Sequence, residues 1–227
     1  MAPQRESMSP ATVRRIADRC RLGGLDLTHA LSLRWLDEAL VRALPDGAID
    51  RLAILIGNTR AIWPFIRQAR RGPDPVERHC ELVVAEAVDG LGARLFHAHR
   101  RYDGAYLPLQ RIAHQAGMLH LSPSHLSLHG QHGPWVALRA LIVVDQPGPT
   151  GPAPRAPDPC TPCDKPCLPA LAAAVAGPDD AASWRRWLAV RDACPVGRVS
   201  RYRPPQVAYH YTKDPTWLDV EPEEGSR

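Results

Sequence analysis

The sequence predicts an α+β fold in which a mixed or antiparallel sheet is flanked by helices. Helical and strand-like apolar patterns interleave up to about residue 146, as expected when helices pack on a sheet. The last two strand-like segments, 124–129 and 135–145, follow each other with only a turn between them, which favours antiparallel pairing. A small cysteine-rich segment follows this core.

Individual elements are predicted from periodicity and capping residues. Ser9 before Pro10 is typical of a helix start, and the continuous apolar run Leu52–Ile56 is typical of a buried strand. Helices are predicted at residues 9–22, 30–43, 64–71, 75–90, 106–116, 168–175 and 181–191. Strands are predicted at residues 52–56, 93–99, 124–129 and 135–145.

Composition narrows the function classes. Of the 227 residues, 44% are hydrophobic and 23% are charged, which is ordinary for a globular protein. The formal net charge of +4 is mild and the arginines are dispersed, so a small-molecule cofactor is a better candidate partner than nucleic acid. No stretch reaches the ~20 apolar residues of a membrane span, and the first residues lack the apolar run of a secretory signal. No membrane partner is therefore expected, and the cytoplasm is the expected compartment.

Prolines divide the chain. Between residues 147 and 159, six of thirteen positions are proline, and such a stretch can neither continue a helix nor pair in a sheet. It is interpreted as a stiff linker. The expected organisation is an α+β domain at 1–146, the linker at 147–159, a cysteine-rich segment at 160–217 and a disordered tail at 218–227.

Four cysteines behind the linker form a candidate metal site. Cys160, Cys163 and Cys167 lie within eight residues, and Cys194 follows a predicted helix. Iron–sulfur clusters commonly take three thiolates from such a run and a fourth from farther along, so the pattern predicts one 4Fe-4S cluster. A structural zinc site usually has two Cys-x2-Cys pairs, and the second pair is missing here. Zinc and a set of unrelated thiols stay as alternatives.

Other chemistry-bearing residues have simpler interpretations. Cys20 and Cys80 fall on the apolar faces of predicted helices and are expected in the core. The histidines between residues 120 and 132 are dense, and they are expected to line a polar cofactor cavity rather than to bind a metal ion.

A series of motifs resembles CblC-type cobalamin-processing proteins, in order and with compatible spacing over roughly residues 50–146. The motifs are Leu52-Ala-Ile-Leu-Ile-Gly-Asn-Thr, Trp63-Pro-Phe-Ile, Asp74-Pro-Val-Glu-Arg-His-Cys, Ala113-His-Gln-Ala-Gly and His129-Gly-Gln-His-Gly-Pro-Trp-Val-Ala-Leu-Arg. The resemblance implies a flavin-reductase or nitroreductase-like α+β fold. It also implies a cavity beside the sheet that holds cobalamin with its lower axial base displaced.

The same resemblance implies cofactor contacts from His114, Gln131, Trp135 and Arg139. Each residue also has a structural interpretation: His114 fits a helix surface and Trp135 fits a core. Arg139 is a charge within an apolar strand, so it must be paired or must face a cavity. FMN is the alternative cofactor.

The layout is also similar to that of epoxyqueuosine reductases, which append a ferredoxin-like module to a cobalamin-binding core. The segment from Asp103 to Gly117, the strand through Trp135 and the cysteines behind a proline-rich link follow their order. This likeness implies a catalytic role for Asp103 as proton donor; a helix N-cap is the alternative. That family carries eight ligand cysteines and a helical tail that grips tRNA, whereas this chain has four suited cysteines and no such tail.

These observations predict a corrinoid-binding iron–sulfur redox protein that processes cobalamin or uses it in a reduction. Glutathione-using CblC-type proteins carry an arginine where this chain has Gln131. Electrons are therefore expected to arrive through the cluster, with an electron donor protein as a further partner. Two alternatives stay open: a non-catalytic corrinoid or flavin carrier with a structural metal, and an RNA-modifying reductase. Whether the chain is an enzyme is left open at this point.

Overall fold

The computed structural model describes residues 9–44, 49–70 and 72–221. The helices in this part of the chain are α1 (Ser9–Leu22), α2 (Glu38–Arg42), α3 (Trp63–Gln68), α4 (Pro75–Ala87), α5 (Leu109–Gln115), α6 (Cys167–Ala176), α7 (Ser183–Ala193) and α8 (Pro204–Thr212). The strands are β1 (Leu27–Ser32), β2 (Arg51–Asn58), β3 (Ala93–His97), β4 (Arg101–Tyr102), β5 (Ala105–Tyr106), β6 (His120–Leu121), β7 (Ser127–Leu128) and β8 (Ala137–Pro147).

The central sheet has four strands in the order β1-β2-β8-β3, and every neighbouring pair is antiparallel. The prediction of an α+β fold with helices around an antiparallel sheet is confirmed. Two small hairpins, β4–β5 and β6–β7, lie outside this sheet. No helix among the described residues is long and apolar enough to cross a bilayer.

The sheet is buried on both faces. Ile54 and Ile56 point into one core with α1 and α4, whereas Ala53 and Leu55 point into a second core with α5. This two-sided burial explains why the β2 sequence is a continuous apolar run rather than an alternating one. Cys20 and Cys80 belong to the first core, with exposed fractions of 0% and 1%, so their predicted burial is confirmed.

A β-bulge interrupts β8 at Arg139. Ile56 pairs with Ala140 and Gly57 pairs with Leu138, so Arg139 is an extra residue without a partner on β2. A bulge rotates the side chain of the extra residue away from the alternation of its strand. This rotation places a guanidinium within an otherwise apolar strand, next to the end of β2.

Two predicted elements are wrong. The predicted helix at 30–43 begins as a strand, because residues up to Ser32 pair with β2 and bury Leu31. A 3-10 turn at Leu33–Trp35 follows, and only Glu38–Arg42 is α-helical. Tertiary pairing overrides local helical spacing there. The predicted strand at 124–129 shrinks to β7, which pairs with β6 instead of β8. His125 has a φ of 61°, a left-handed conformation that no strand accommodates.

The end of the chain returns to the first core. Tyr209 of α8 packs on Trp63 with ring centroids 5.8 Å apart, and both residues belong to the core formed with α1 and α4. Leu218, at the start of the segment predicted as disordered, is 2% exposed in the same core. Residues 222–227 of that segment lie outside the described residues. The four cysteines therefore lie between β8 and α8, and both of these elements contribute residues to the first core.

Candidate metal centre and cofactor groove

The four predicted ligand cysteines line one pocket. Cys160 and Cys163 lie on the loop before α6, Cys167 is the first residue of α6, and Cys194 caps the end of α7. Because α6 and α7 pack against each other, the start of one helix is brought to the end of the other. This helical pair is the reason why a cysteine far along the chain meets the three closely spaced ones.

The wall of this cysteine pocket is mainly apolar. It comprises Leu126 and Leu128 from the β6–β7 hairpin together with Pro159, Pro166 and Pro195. Burial raises the pKa of the Cys160 and Cys194 thiols, and the neighbouring cysteines raise it further. Four thiols in such a place ionise together only when a cation compensates their charge, which is what a metal centre supplies. The donor set therefore fits a thiolate-bound metal centre.

The distances between the cysteine sulfurs bear on which metal the pocket could hold. In the described part of the chain, no three of the cysteine sulfurs lie within 4.8 Å of one another. A single zinc ion with four Zn–S bonds of about 2.3 Å would hold its sulfurs roughly 3.8 Å apart. The backbone N–H of Lys165 donates to the Cys163 Sγ at 3.3 Å. Hydrogen bonds of this kind to sulfur help to set the potential of iron–sulfur clusters.

A histidine and an aspartate lie beside this pocket. The Nε2 of His120, a carboxylate oxygen of Asp158 and the Sγ of Cys160 lie within 4.8 Å of one another. His120 belongs to the group that sequence reasoning assigned to a cofactor cavity, and Asp158 was missed. The available signal for Asp158 was its position two residues before the first ligand cysteine, between two prolines.

An open groove of about 440 Å³ lies on the other side of the β6–β7 hairpin. Its surface is of mixed polarity and comes mainly from the start of α5, the hairpin and the start of β8: Ala98, Leu107, Pro108, Leu109, Gln110, Arg111, Leu119, Ser127, Val136, Ala137 and Leu138. Its volume lies in the range typical of small-molecule sites. The buried Oγ of Ser127 has no hydrogen-bond partner among the described residues. Leucine side chains together with the polar side chains of Gln110 and Arg111 suit a ligand that has both apolar faces and polar substituents.

One short strand separates the pocket from the groove. Leu128 of β7 lines the cysteine pocket, whereas its neighbour Ser127 lines the groove. Successive side chains of a strand point to opposite faces, so the two sites share a wall that is one strand thick. A metal centre in the pocket and a ligand in the groove would be neighbours.

The turn between β7 and β8 contacts residues that follow Cys194 in the sequence. His129 Nδ1 accepts hydrogen bonds from the backbone N–H groups of Gln131 and His132. The Gln131 side chain is exposed. His132 Nδ1 lies 2.8 Å from the Ser200 Oγ. A Cβ on Gly133 would lie 2.0 Å from the Val196 carbonyl oxygen, so only glycine permits this approach. Burial lowers the pKa of His129, and the nearby His132 lowers it further.

Trp135 follows this turn and is enclosed. It is 1% exposed, its ring meets Tyr202 edge-on at 5.5 Å, and the guanidinium carbons of Arg191 and Arg201 lie 4.6 and 5.3 Å from its centroid. Arg191 also donates to the Pro134 carbonyl at 2.5 Å, and its own carbonyl accepts from the Cys194 N–H. Trp135 thus connects the turn to the helix that carries Cys194. A contact between Trp135 and a cofactor stays a prediction.

Arg139 is paired within the protein. Its Nε donates to the Asn58 Oδ1 at 2.6 Å, so the half-buried guanidinium is paired with the oxygen of a buried amide. The charges of Arg191, Arg139 and Lys213 add to burial in lowering the pKa of His210 to about 3. That imidazole is therefore neutral in the folded protein near pH 7.

His114 and Asp103 lie on other elements. His114 is exposed in the last turn of α5, where its Nδ1 accepts from the Leu121 N–H at 3.3 Å and its ring meets His120 edge-on at 5.9 Å. Asp103 is exposed in the two-residue turn between β4 and β5, with a φ of 49°. It does not cap a helix: Asp103-Gly104 is a hairpin turn pair with positive φ at both residues. Its catalytic role stays a prediction.

Comparisons with known proteins agree with this architecture. The structure matches the crystal structure of a B12-trafficking protein CblC from C. elegans with a TM-score of 0.66 and 15% identity, covering 92% of this chain and 94% of that chain. The chain has a CblC-like fold. It also matches an epoxyqueuosine reductase crystallised with an epoxyqueuosine-modified tRNA-Tyr stem loop, with a TM-score of 0.54 and 13% identity, covering 86% of this chain and 68% of that chain. No family model and no curated protein matches the chain.

The CblC-like fold extends past the proline-rich linker. An alignment over 92% of this chain leaves too few residues outside it to omit the segment behind residue 159. The likeness describes the backbone; at 15% identity it leaves the chemistry of the cysteines and of the groove to be argued from the residues themselves.

Proposed function

We propose that this protein is a corrinoid-binding iron–sulfur redox protein that processes cobalamin reductively or uses cobalamin in a reduction. The observation that supports this most is the shared wall: Leu128 faces the cysteine pocket while Ser127 faces the groove. A cluster and a corrinoid on the two faces of one strand are close enough for direct electron exchange. The CblC-like fold supports the choice of a corrinoid over other ligands of this size.

Cys160, Cys163, Cys167 and Cys194 would hold a 4Fe-4S cluster, which supplies one-electron chemistry. Three cysteines in one short run with a fourth from farther along favour a 4Fe-4S cluster over a single zinc ion, which usually takes two Cys-x2-Cys pairs. The apolar wall from Leu126 to Leu128 and the three prolines would keep water away from the cluster. The absence of water lowers the local dielectric and makes nearby charges more effective.

The groove would receive the corrinoid. Leu107, Leu119 and Leu138 offer apolar contact to a flat macrocycle, while the side chains of Gln110 and Arg111 can meet amide or phosphate groups at its edge. FMN, which is also flat and carries a phosphate, is the alternative ligand. Direct cofactor contacts from His114, Gln131 and Arg139, and proton donation by Asp103, belong to this proposal as predictions.

The proposal is tested on anaerobically purified protein. The protein is expected to contain about four iron and four sulfide per chain. When cob(II)alamin is added, the visible spectrum of the cobalamin is expected to change to that of the base-off form. Ala137→Trp should fill the groove and abolish this spectral change, while Ala105→Trp, on an exposed hairpin strand, should leave it intact. Zinc without sulfide, or cobalamin binding that persists in a folded Ala137→Trp protein, would contradict the assignment.

The carrier alternative gives a different result. A corrinoid carrier with a structural metal would bind cobalamin, but reducing its metal centre would leave the bound cobalamin unchanged. The proposed redox protein should transfer an electron to bound cobalamin after dithionite reduction and desalting, so the cluster spectrum and the corrinoid spectrum should change together. Independent behaviour of the two spectra would favour the carrier.

A further inference from the structure

We infer that Asp158, held in place by His120, is a positioning residue of the cysteine pocket: it fixes the backbone of the first ligand loop and lowers the reduction potential of a bound cluster. This inference rests on the proposed function for the cluster. The residues that carry it are outside the ligand set and outside the groove.

Asp158 organises the loop that contains Cys160. Its Oδ1 accepts the backbone N–H of Cys160 at 2.8 Å and that of Thr161 at 3.2 Å, and its Oδ2 accepts the Thr161 hydroxyl at 2.7 Å. Pro157 and Pro159 restrict the chain on both sides of the aspartate. Three hydrogen bonds and two fixed φ angles therefore define the loop before any metal binds, which lowers the entropy that metal binding must remove.

His120 connects this loop to the wall of the pocket. Its Nε2 lies 3.3 Å from the Asp158 Oδ1, and its side chain is only 14% exposed. His120 belongs to β6, and β6 pairs with β7, whose Leu128 lines the pocket. The aspartate thus ties the cysteine loop to the strand that separates the pocket from the groove.

The carboxylate also contributes charge. A carboxylate oxygen of Asp158 and the Sγ of Cys160 lie within 4.8 Å of each other. Reduction adds one electron to a cluster, and a nearby negative charge disfavours that added electron. Removing the charge without removing the shape should therefore raise the reduction potential.

The same three donor atoms suggest a second interpretation, a mononuclear divalent-metal site. A single ion with bonds of about 2.0–2.2 Å to nitrogen and oxygen places those atoms roughly 3.4 Å apart, close to the observed spacing. Both Asp158 oxygens, however, already accept hydrogen bonds from the loop. The structure therefore favours the positioning role, and a mononuclear site is an outcome of the test.

The first experiment is a redox titration of the reconstituted full chain. Asp158→Asn keeps the acceptor oxygen and removes the charge, so it should load iron normally and shift the reduction equilibrium about tenfold toward the reduced form, about 59 mV for one electron. Asp214→Asn is the matched control, because Asp214 accepts the N–H and hydroxyl of Thr216 in a turn that has no part in the cysteine pocket. An unchanged potential in Asp158→Asn overturns the electrostatic role.

The second experiment needs no cluster. Zn²⁺ affinity of the metal-free chain, measured by competition with a chromophoric chelator, should fall about tenfold in Asp158→Ala and stay unchanged in Asp214→Ala. Equal affinities overturn the loop-fixing role, even if the protein never takes up iron and sulfide and the proposed function fails. Loss of Zn²⁺ binding in Asp158→Asn and His120→Asn, with retention in Cys163→Ala, would identify a mononuclear site and overturn the positioning role.

Discussion

The close approach of two backbone segments, at Gly133 and Val196, makes a sharp prediction about how the cysteine segment is held. In Gly133→Ala, the new Cβ would lie 2.0 Å from the Val196 carbonyl oxygen, whereas ordinary contacts begin near 3.4 Å. The two backbones must therefore separate by more than an ångström. The residue also has a φ of 54°, which an alanine adopts only with strain.

Both costs can be given a magnitude. A non-glycine residue at positive φ costs about 1–2 kcal/mol, and forcing extra atoms into a packed contact adds about 1–3 kcal/mol. Gly90→Ala provides a matched control, because Gly90 has a φ of 73° and a Cβ there would meet nothing within 4 Å. The difference between the two variants, about 1–3 kcal/mol in the free energy of unfolding, measures the contact alone.

Urea denaturation of both variants, together with iron and sulfide analysis, tests this expectation. Gly133→Ala should be the less stable variant and should lose part of its iron, because the displaced segment starts directly behind Cys194 and Pro195. Gly90→Ala should retain full iron. Equal stabilities with full iron in both variants would show that the turn and the cysteine segment are not coupled through this contact.

Three further predictions concern the ligands, the buried histidine and the linker. Cys194→Ala should lose or convert the cluster, while Cys20→Ala, in the first core, should leave the iron content unchanged; the reverse result would show that the ligand set is wrong. Because burial and the charges of Arg191, Arg139 and Lys213 lower the pKa of His210 to about 3, its contribution to stability is complete above about pH 6.5 and is lost as the pH falls from 6.5 toward 3, by about 1.4 kcal/mol per pH unit. His210→Gln should flatten that part of the stability curve, and an unchanged slope would contradict the assignment. Limited proteolysis of the metal-free protein should cut first within 147–159, and the two fragments should stay associated through α8, whereas dissociation in native gel filtration would show that this helix does not hold them together.

Spacing along the chain predicted the convergence of the four cysteines but not its cause. Cys160, Cys163 and Cys167 are close in any fold, because their loop is short. Cys194 joins them only because α6 and α7 pack against each other, with Ala174 of α6 and Val190 of α7 in one buried apolar cluster. Metal binding by these cysteines stays a prediction, and so does the identity of the metal, since the same thiolates accept more than one ion.

Features that depend on pairing between distant strands were outside the reach of the sequence. In the sequence, Arg139 is a charged residue within an apolar strand. The register of β8 against β2 shows that it is a bulge residue, and its Nε donates to Asn58. Helical spacing at 30–43 concealed β1, whose pairing with β2 is a long-range event. Asp103-Gly104, by contrast, carried a local hairpin signal that the resemblance to a proton donor obscured.

The anchoring of α8 changes how the cysteine-rich segment would behave as a transferable part. A module attached at one end can be cut off or fused elsewhere with a single junction. Here Trp35 holds the linker through the Gly151 carbonyl at 2.9 Å, and Tyr209 holds the other end against Trp63. The part that contains the four cysteines, residues 160–194, is therefore fixed on both sides. Moving it to another scaffold requires both junctions to be rebuilt at matching separation. Swapping inserts between CblC-like scaffolds should succeed only when α8 travels with the host rather than with the insert.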